Sequence, residues 1–187
     1  MKKLIFTTAA LIGLTVATNA QNTSNASSNA SQAVQLALSN AIEIGFTNTG
    51  NATGNAVTMA FTSANDYANG VESAEQELKV RSNKEFKVGV KIDLNSFNYT
   101  GPGNLNLATV PMNAFALKVA NNNTGGNIAA PFTTSSFSTL TGVDQNLIVD
   151  GDNGGDQKFA IKYKCTPGFS LPAGTYTFNV VYTATQQ

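Results

Sequence analysis

The chain has 187 residues with 11 basic and 11 acidic side chains, one cysteine, no histidine and no tryptophan. Without histidine there can be no Ser-His-Asp or Cys-His relay, no imidazole metal cage and no histidine pH switch. Charged residues are only 12% of the chain, a balance that suits neither a basic nucleic-acid binder nor an acidic disordered tail.

Residues 1–20 have the form of a secretory signal peptide. Lys2 and Lys3 precede an apolar run from Leu4 to Val16, and small residues at Thr18 and Ala20 allow cleavage before Gln21. An uncleaved anchor is the alternative, but the run is shorter than the roughly 20 apolar residues that a span needs. No later stretch reads as a transmembrane segment. The chain is therefore expected to be secreted, to the periplasm or the outer cell surface. Removing Lys2 and Lys3 leaves 9 basic against 11 acidic side chains, a net charge of −2.

Residues 21–31 (QNTSNASSNAS) are polar and uncharged, and read as a flexible leader. A single domain is expected over residues 32–187. Within it, Val34, Leu36 and Leu38, and then Ile42, Ile44 and Phe46, alternate with small or polar residues. That pattern predicts two short strands or one bent strand, with a helix over 32–44 as the alternative. Period-two alternation recurs at Val57–Phe61, Leu78–Val80, Phe86–Ile92, Phe115–Val119, Phe159–Tyr163 and Tyr176–Ala184. Asn69-Gly70, Ser82-Asn83, Gly101-Pro102-Gly103 and the Asn/Gly-rich stretch 121–126 are turn or break signals between them. Residues 128–145 are irregular, with Phe132, Phe137 and Leu140 available to cover a core. Eight or nine short strands without helical crossovers predict an all-β fold, an antiparallel β-sandwich.

Cys165 cannot form an intrachain disulfide, although the signal peptide directs the chain to a compartment that allows one. It is expected to be a buried structural thiol. Lys79, Arg81, Lys87, Lys91, Lys158, Lys162 and Lys164 fall on outer strand faces. They read as solubilising edge guards, with an electropositive face for a polyanion as the alternative; Glu75, Glu77, Glu85 and Asp93 dilute such a field. The one concentrated set of carboxylates, Asp150-Gly151-Asp152-Asn153-Gly154-Gly155-Asp156, is expected to be a hairpin turn. Its weak alternative is a structural calcium site through Asp150, Asp152 and Asp156. No catalytic residues and no cofactor are expected, since glycoside hydrolysis needs two carboxylates across a cleft and the acids here fall on turns and outer faces.

The closing segment Leu171-Pro172-Ala173-Gly174-Thr175-Tyr176, leading into a long terminal strand to Thr185, resembles the secreted Ig-like domains of bacterial fimbrial subunits and surface proteins. The resemblance implies an Ig-like sandwich. In subunits assembled by chaperone and usher, it further implies an N-terminal extension of alternating apolar residues that inserts into the next subunit. The segment matching that description is 32–39, with Val34, Leu36 and Leu38 as the inserted side chains, or else as the domain's own first strand. Partners would then be other copies of the chain or related surface subunits, with no nucleic acid. The alternative of the same fold is a monomeric cell-envelope or carbohydrate-binding module, meeting an envelope polymer or glycan through loops 98–113 and 121–137.

Overall fold

The computed structural model describes residues 27–103 and 112–187. Residues 1–26, which hold the expected signal peptide and the start of the expected leader, and residues 104–111, part of the expected 98–113 ligand surface, lie outside the described residues. The chain divides into two units, Met1–Ala37 and Leu38–Gln187. Of the first, the described residues 27–37 are exposed and carry no helix or strand.

The second unit is an antiparallel β-sandwich. Its strands are β1 (Ile42–Phe46), β2 (Val71–Glu72), β3 (Gln76–Ser82), β4 (Phe86–Thr100), β5 (Phe115–Asn123), β6 (Asn127–Ile128), β7 (Ser138–Thr139), β8 (Gln145–Gly151), β9 (Gly154–Cys165) and β10 (Thr175–Gln186). One sheet runs β1-β3-β9-β5-β7, with β2 also on β9, and the other runs β10-β4-β8-β6. The excess over the eight or nine expected strands comes from β2, β6 and β7, each two residues long, too short for alternation to register.

Alternation explains the core. Leu78 and Val80 on β3, Phe115, Leu117 and Val119 on β5, and Phe159 and Ile161 on β9 face Phe86, Val88, Val90 and Ile92 on β4 and Leu147 on β8, all buried. Burial of each such side chain stabilises by about 1.5–3 kcal/mol. Phe132 and Leu140, from the irregular stretch, are also buried in this core.

Two expected strands are absent. Residues 34–38 form neither a strand nor the alternative helix. Residues 57–61 are likewise unassigned, although Val57, Met59 and Phe61 alternate as half-buried residues with exposed ones. Their pattern fits a sandwich wall, but no backbone hydrogen bond joins them to another described residue. Alternation dictates which face a side chain takes; a strand also needs a ladder partner.

A six-residue helix, α1 (Ala64–Asn69), precedes β2. The Ser63 hydroxyl accepts from the Asp66 N–H, and the Asp66 carboxylate accepts from the Ser63 N–H, closing a capping box. These backbone bonds from Thr62 and Ser63 hold the Asp66 carboxyl below its usual range.

The stretch Asp150–Asp156 is a corner rather than a hairpin, since it takes the chain from β8 in one sheet to β9 in the other. Asp150 adopts a left-handed φ of 54°, a conformation that aspartate tolerates better than most residues. The Gly151 Cα lies against the Phe86 ring, where a Cβ would collide.

For orientation, the base of the sandwich is the end where Ile42, Ser82 and Gly154 stand side by side across β1, β3 and β9. The top is the end where Val71, Cys165 and Phe115 do so across β2, β9 and β5. β10 runs from Thr175, opposite Thr100, down to Gln186, opposite Phe86.

Candidate functional site

β10 is an edge strand of twelve residues that pairs with β4 alone among the described strands. Its sequence, TYTFNVVYTATQ, contains no charged side chain and no proline. The irregularity in its ladder belongs to β4, which goes from Asp93 to Asn98 while β10 goes from Asn179 only to Thr177. The Ser96 hydroxyl accepts the Asn179 N–H across that gap. The far edge of β10 is therefore a long, uncharged row of backbone donors and acceptors, the kind of edge that templates pairing with another chain.

The inner face of β10 is held but only partly covered. Tyr176, Phe178, Val180, Tyr182 and Ala184 pack against the core as expected, yet no residue of β10 is fully buried. Phe178 meets Phe115 edge-on at 4.4 Å. The Tyr182 and Tyr163 hydroxyls share a 2.9 Å hydrogen bond between the two sheets. Burial pushes the Tyr163 hydroxyl up to about 12 and the Tyr182 hydroxyl well above its ordinary value. At the top, the Leu171–Thr175 turn is tied down by Tyr176, whose hydroxyl donates to the Pro172 carbonyl at 2.7 Å, and by Tyr99, whose hydroxyl donates to the Ala173 carbonyl at 3.0 Å. Gly174 lets the Tyr99 ring approach the backbone.

The three strand-exchange candidates are exposed: Val34 by 81%, Leu36 by 81% and Leu38 by 88%. The root that follows them is fixed at the base. Asn83 donates from its side-chain amide to the Ser39 carbonyl and accepts the Ala41 N–H, while the Gln186 amide donates to the Ala41 carbonyl and to Asn83. β1 then lies beside the lower part of β10, where Phe46 meets Tyr182 edge-on.

The other candidate residues are spread over the β8–β9 corner and the outer sheet faces. Asp156 pairs with Lys79 at 3.8 Å and with Lys158 at 3.4 Å. Asp152 sits on the Gly125 corner, its N–H donating to the Thr124 carbonyl, and the Asp150 N–H donates to the Gln187 side chain. Among the described residues, no three Asp, Glu, Cys or His side chains come together as a metal site. On the outer faces Arg81 pairs with Glu43, Lys162 with Glu75, Lys164 with Glu72 and Lys91 with Asp144. Such pairs contribute at most about 1 kcal/mol each; Lys87, the remaining member of the outer-face set, has no carboxylate within 4.0 Å among the described residues. Cys165 is buried, and burial raises its thiol to about 11.

One feature carried little signal in the sequence. Phe61, Tyr67 on α1 and Phe169 form a row at the top of the sandwich, with ring centroids 5.5 Å and 5.8 Å apart. Phe169 is 72% exposed. The Ser63-x-x-Asp66 spacing before Tyr67 is a capping signal that could have placed Tyr67 on a helix. No family model matches the chain, and no curated protein matches it closely enough to indicate kinship.

Proposed function

We propose that the protein is a non-enzymatic, secreted structural subunit that assembles with copies of itself by strand exchange. In this reading, residues 32–39 of one copy add to the free edge of β10 in the next. The observation that carries it is a complementary pair: an exposed segment with three alternating apolar residues, and the strand β10 with one edge unpaired among the described residues and an incompletely covered inner face. Val34, Leu36 and Leu38 share one face of an extended segment, so strand addition would turn all three toward the same core while the backbone completes the ladder. The eight residues 32–39 match in number the eight positions from Thr175 down to Tyr182, where Phe46 at the end of β1 meets the strand.

The test is the size of the mature protein in solution and under the electron microscope. Wild type is expected to form filaments or oligomers, and Val34→Asp and Leu36→Asp to remain folded monomers. A wild-type protein that stays monomeric at high concentration, or aspartate variants that still polymerise, would sink the proposal.

A further inference from the structure

We infer, resting on the strand-exchange reading, that the Phe61–Tyr67–Phe169 row is the seat on which the base of the next copy docks. The direction of strand addition leads there. Every strand pair described in this fold is antiparallel, and antiparallel ladders are the slightly more stable kind. Because β10 descends from Thr175 to Gln186, an antiparallel incoming strand climbs, and its residue 39 arrives at the top. Parallel addition would instead bring the incoming root to the acceptor's base. That place is already taken by the acceptor's own root, where Ser39 and Ala41 are bound to Asn83 and Gln186.

The linkage has almost no slack. Ser39 already belongs to the hydrogen-bonded root of its own sandwich, and only Asn40 and Ala41 separate it from β1. At roughly 3.5 Å per extended residue, the donor's base comes within about 10 Å of the acceptor's top. The two bodies must therefore touch there, and the aromatic row, with Phe169 72% exposed, is an apolar surface that the described residues present at that end. Phe169 projects from the β9–β10 connection, stacked on Tyr67 at an interplanar angle of 19°. A hollow of about 490 Å³ beside Asn113 and Thr166 and one of about 440 Å³ beside Thr62 and Ser63 share the Tyr67–Phe169 wall. A protruding ring between two shallow hollows suits a knobbed surface. The root offers Asn40, Asn83 and the Gln186 and Gln187 amides, whose flat faces pack on aromatic rings, with the exposed, oppositely charged Lys84 and Glu85 beside them.

The test uses the full mature chain with Cys165→Ser as background. Phe169→Cys and Asn40→Cys lie at opposite ends of the sandwich, separated by the length of β9, on the order of 35 Å at 3.3 Å per residue, so they cannot pair within one chain. The double variant is expected to give a ladder of disulfide-linked multimers under mild oxidation, with neither single variant going beyond dimers. Phe169→Ala is expected to keep the monomer's thermal midpoint and to raise the concentration needed for assembly about tenfold or more, as loss of an aromatic anchor does. If wild type assembles and Val34→Asp abolishes it, but the ladder is absent and Phe169→Ala assembles normally, the seat is wrong and strand exchange stands. If Phe169→Ala assembles normally but loses retardation in a gel containing soluble β-glucan, the row is a glycan platform and the seat is overturned. If wild type does not assemble, both readings fall.

Discussion

Tyr163 and Tyr182 show how one hydrogen bond can tie a half-covered strand to its core. The two hydroxyls satisfy each other at 2.9 Å across the sheets, so removing one leaves the other unpaired in a poorly solvated site. Tyr182→Phe should therefore cost about 1–2 kcal/mol, whereas Tyr163→Phe with Tyr182→Phe should lie closer to wild type; urea unfolding of the two singles and the double measures this. The pair also sets an alkaline limit. An unfolded tyrosine titrates near 10, while burial raises Tyr163 to about 12 and Tyr182 in the same direction. The unfolded chain thus releases these protons first, and the stability they confer is complete below pH 10 and lost as pH rises toward 12. A thermal midpoint that falls across that window in wild type, and falls less in the double phenylalanine variant, is the expected result. Cys165 obeys the same physics. Buried between Val71 and Phe115 on neighbouring strands, with its thiol raised to about 11, it should react with a thiol reagent at pH 8 at least 100-fold more slowly in the folded than in the unfolded protein, in line with thiolate control of reactivity.

At the scale of elements, segment 32–39 and the core strands have similar patterns and opposite environments, and stability measurements should separate them. Val34→Asp, at an exposed position, should change the monomer's unfolding free energy by no more than about 0.5 kcal/mol, while Leu117→Ala in the core should cost about 2–5 kcal/mol. The contrast also shows what a sequence discloses. Alternation alone located β3, β4, β5, β9 and β10 and their inward faces, because each has a long partner that its side chains presuppose. It could not distinguish residues 34–38, which share the pattern but form no ladder among the described residues, and it read residues 57–61 as a strand for the same reason. The Asp150–Asp156 turn chemistry was legible; its role as a corner between sheets was not, because turn residues report local φ and not the sheet of the next strand. The aromatic row was the least legible feature. Phe61, Tyr67 and Phe169 are far apart in the chain, and only the crossing from β9 to β10 and the cap of α1 bring their rings together.

For the whole molecule, the proposed assembly makes stability a function of partner concentration. The described core lies within Leu38–Gln187, so a chain beginning at Ser39 should fold and remain monomeric while its β10 edge stays open. A synthetic peptide of residues 32–39 then acts as an ordinary ligand for that edge. Binding to the folded state alone stabilises by RT ln(1 + [L]/Kd), about 2.7 kcal/mol at one hundred times Kd. The midpoint of the shortened chain should therefore rise with peptide concentration and saturate in no other way than by solubility. The same peptide carrying Val34→Asp and Leu36→Asp should leave the midpoint where it was, because it keeps the backbone donors but has lost the side chains that cover the inner face of β10. Separating the two contributions matters for the filament. If ladder bonds alone held it, both peptides would work and any extended segment would serve. If side-chain burial is required, Val34, Leu36 and Leu38 set the register, and with it the height at which the next subunit's base meets Phe169.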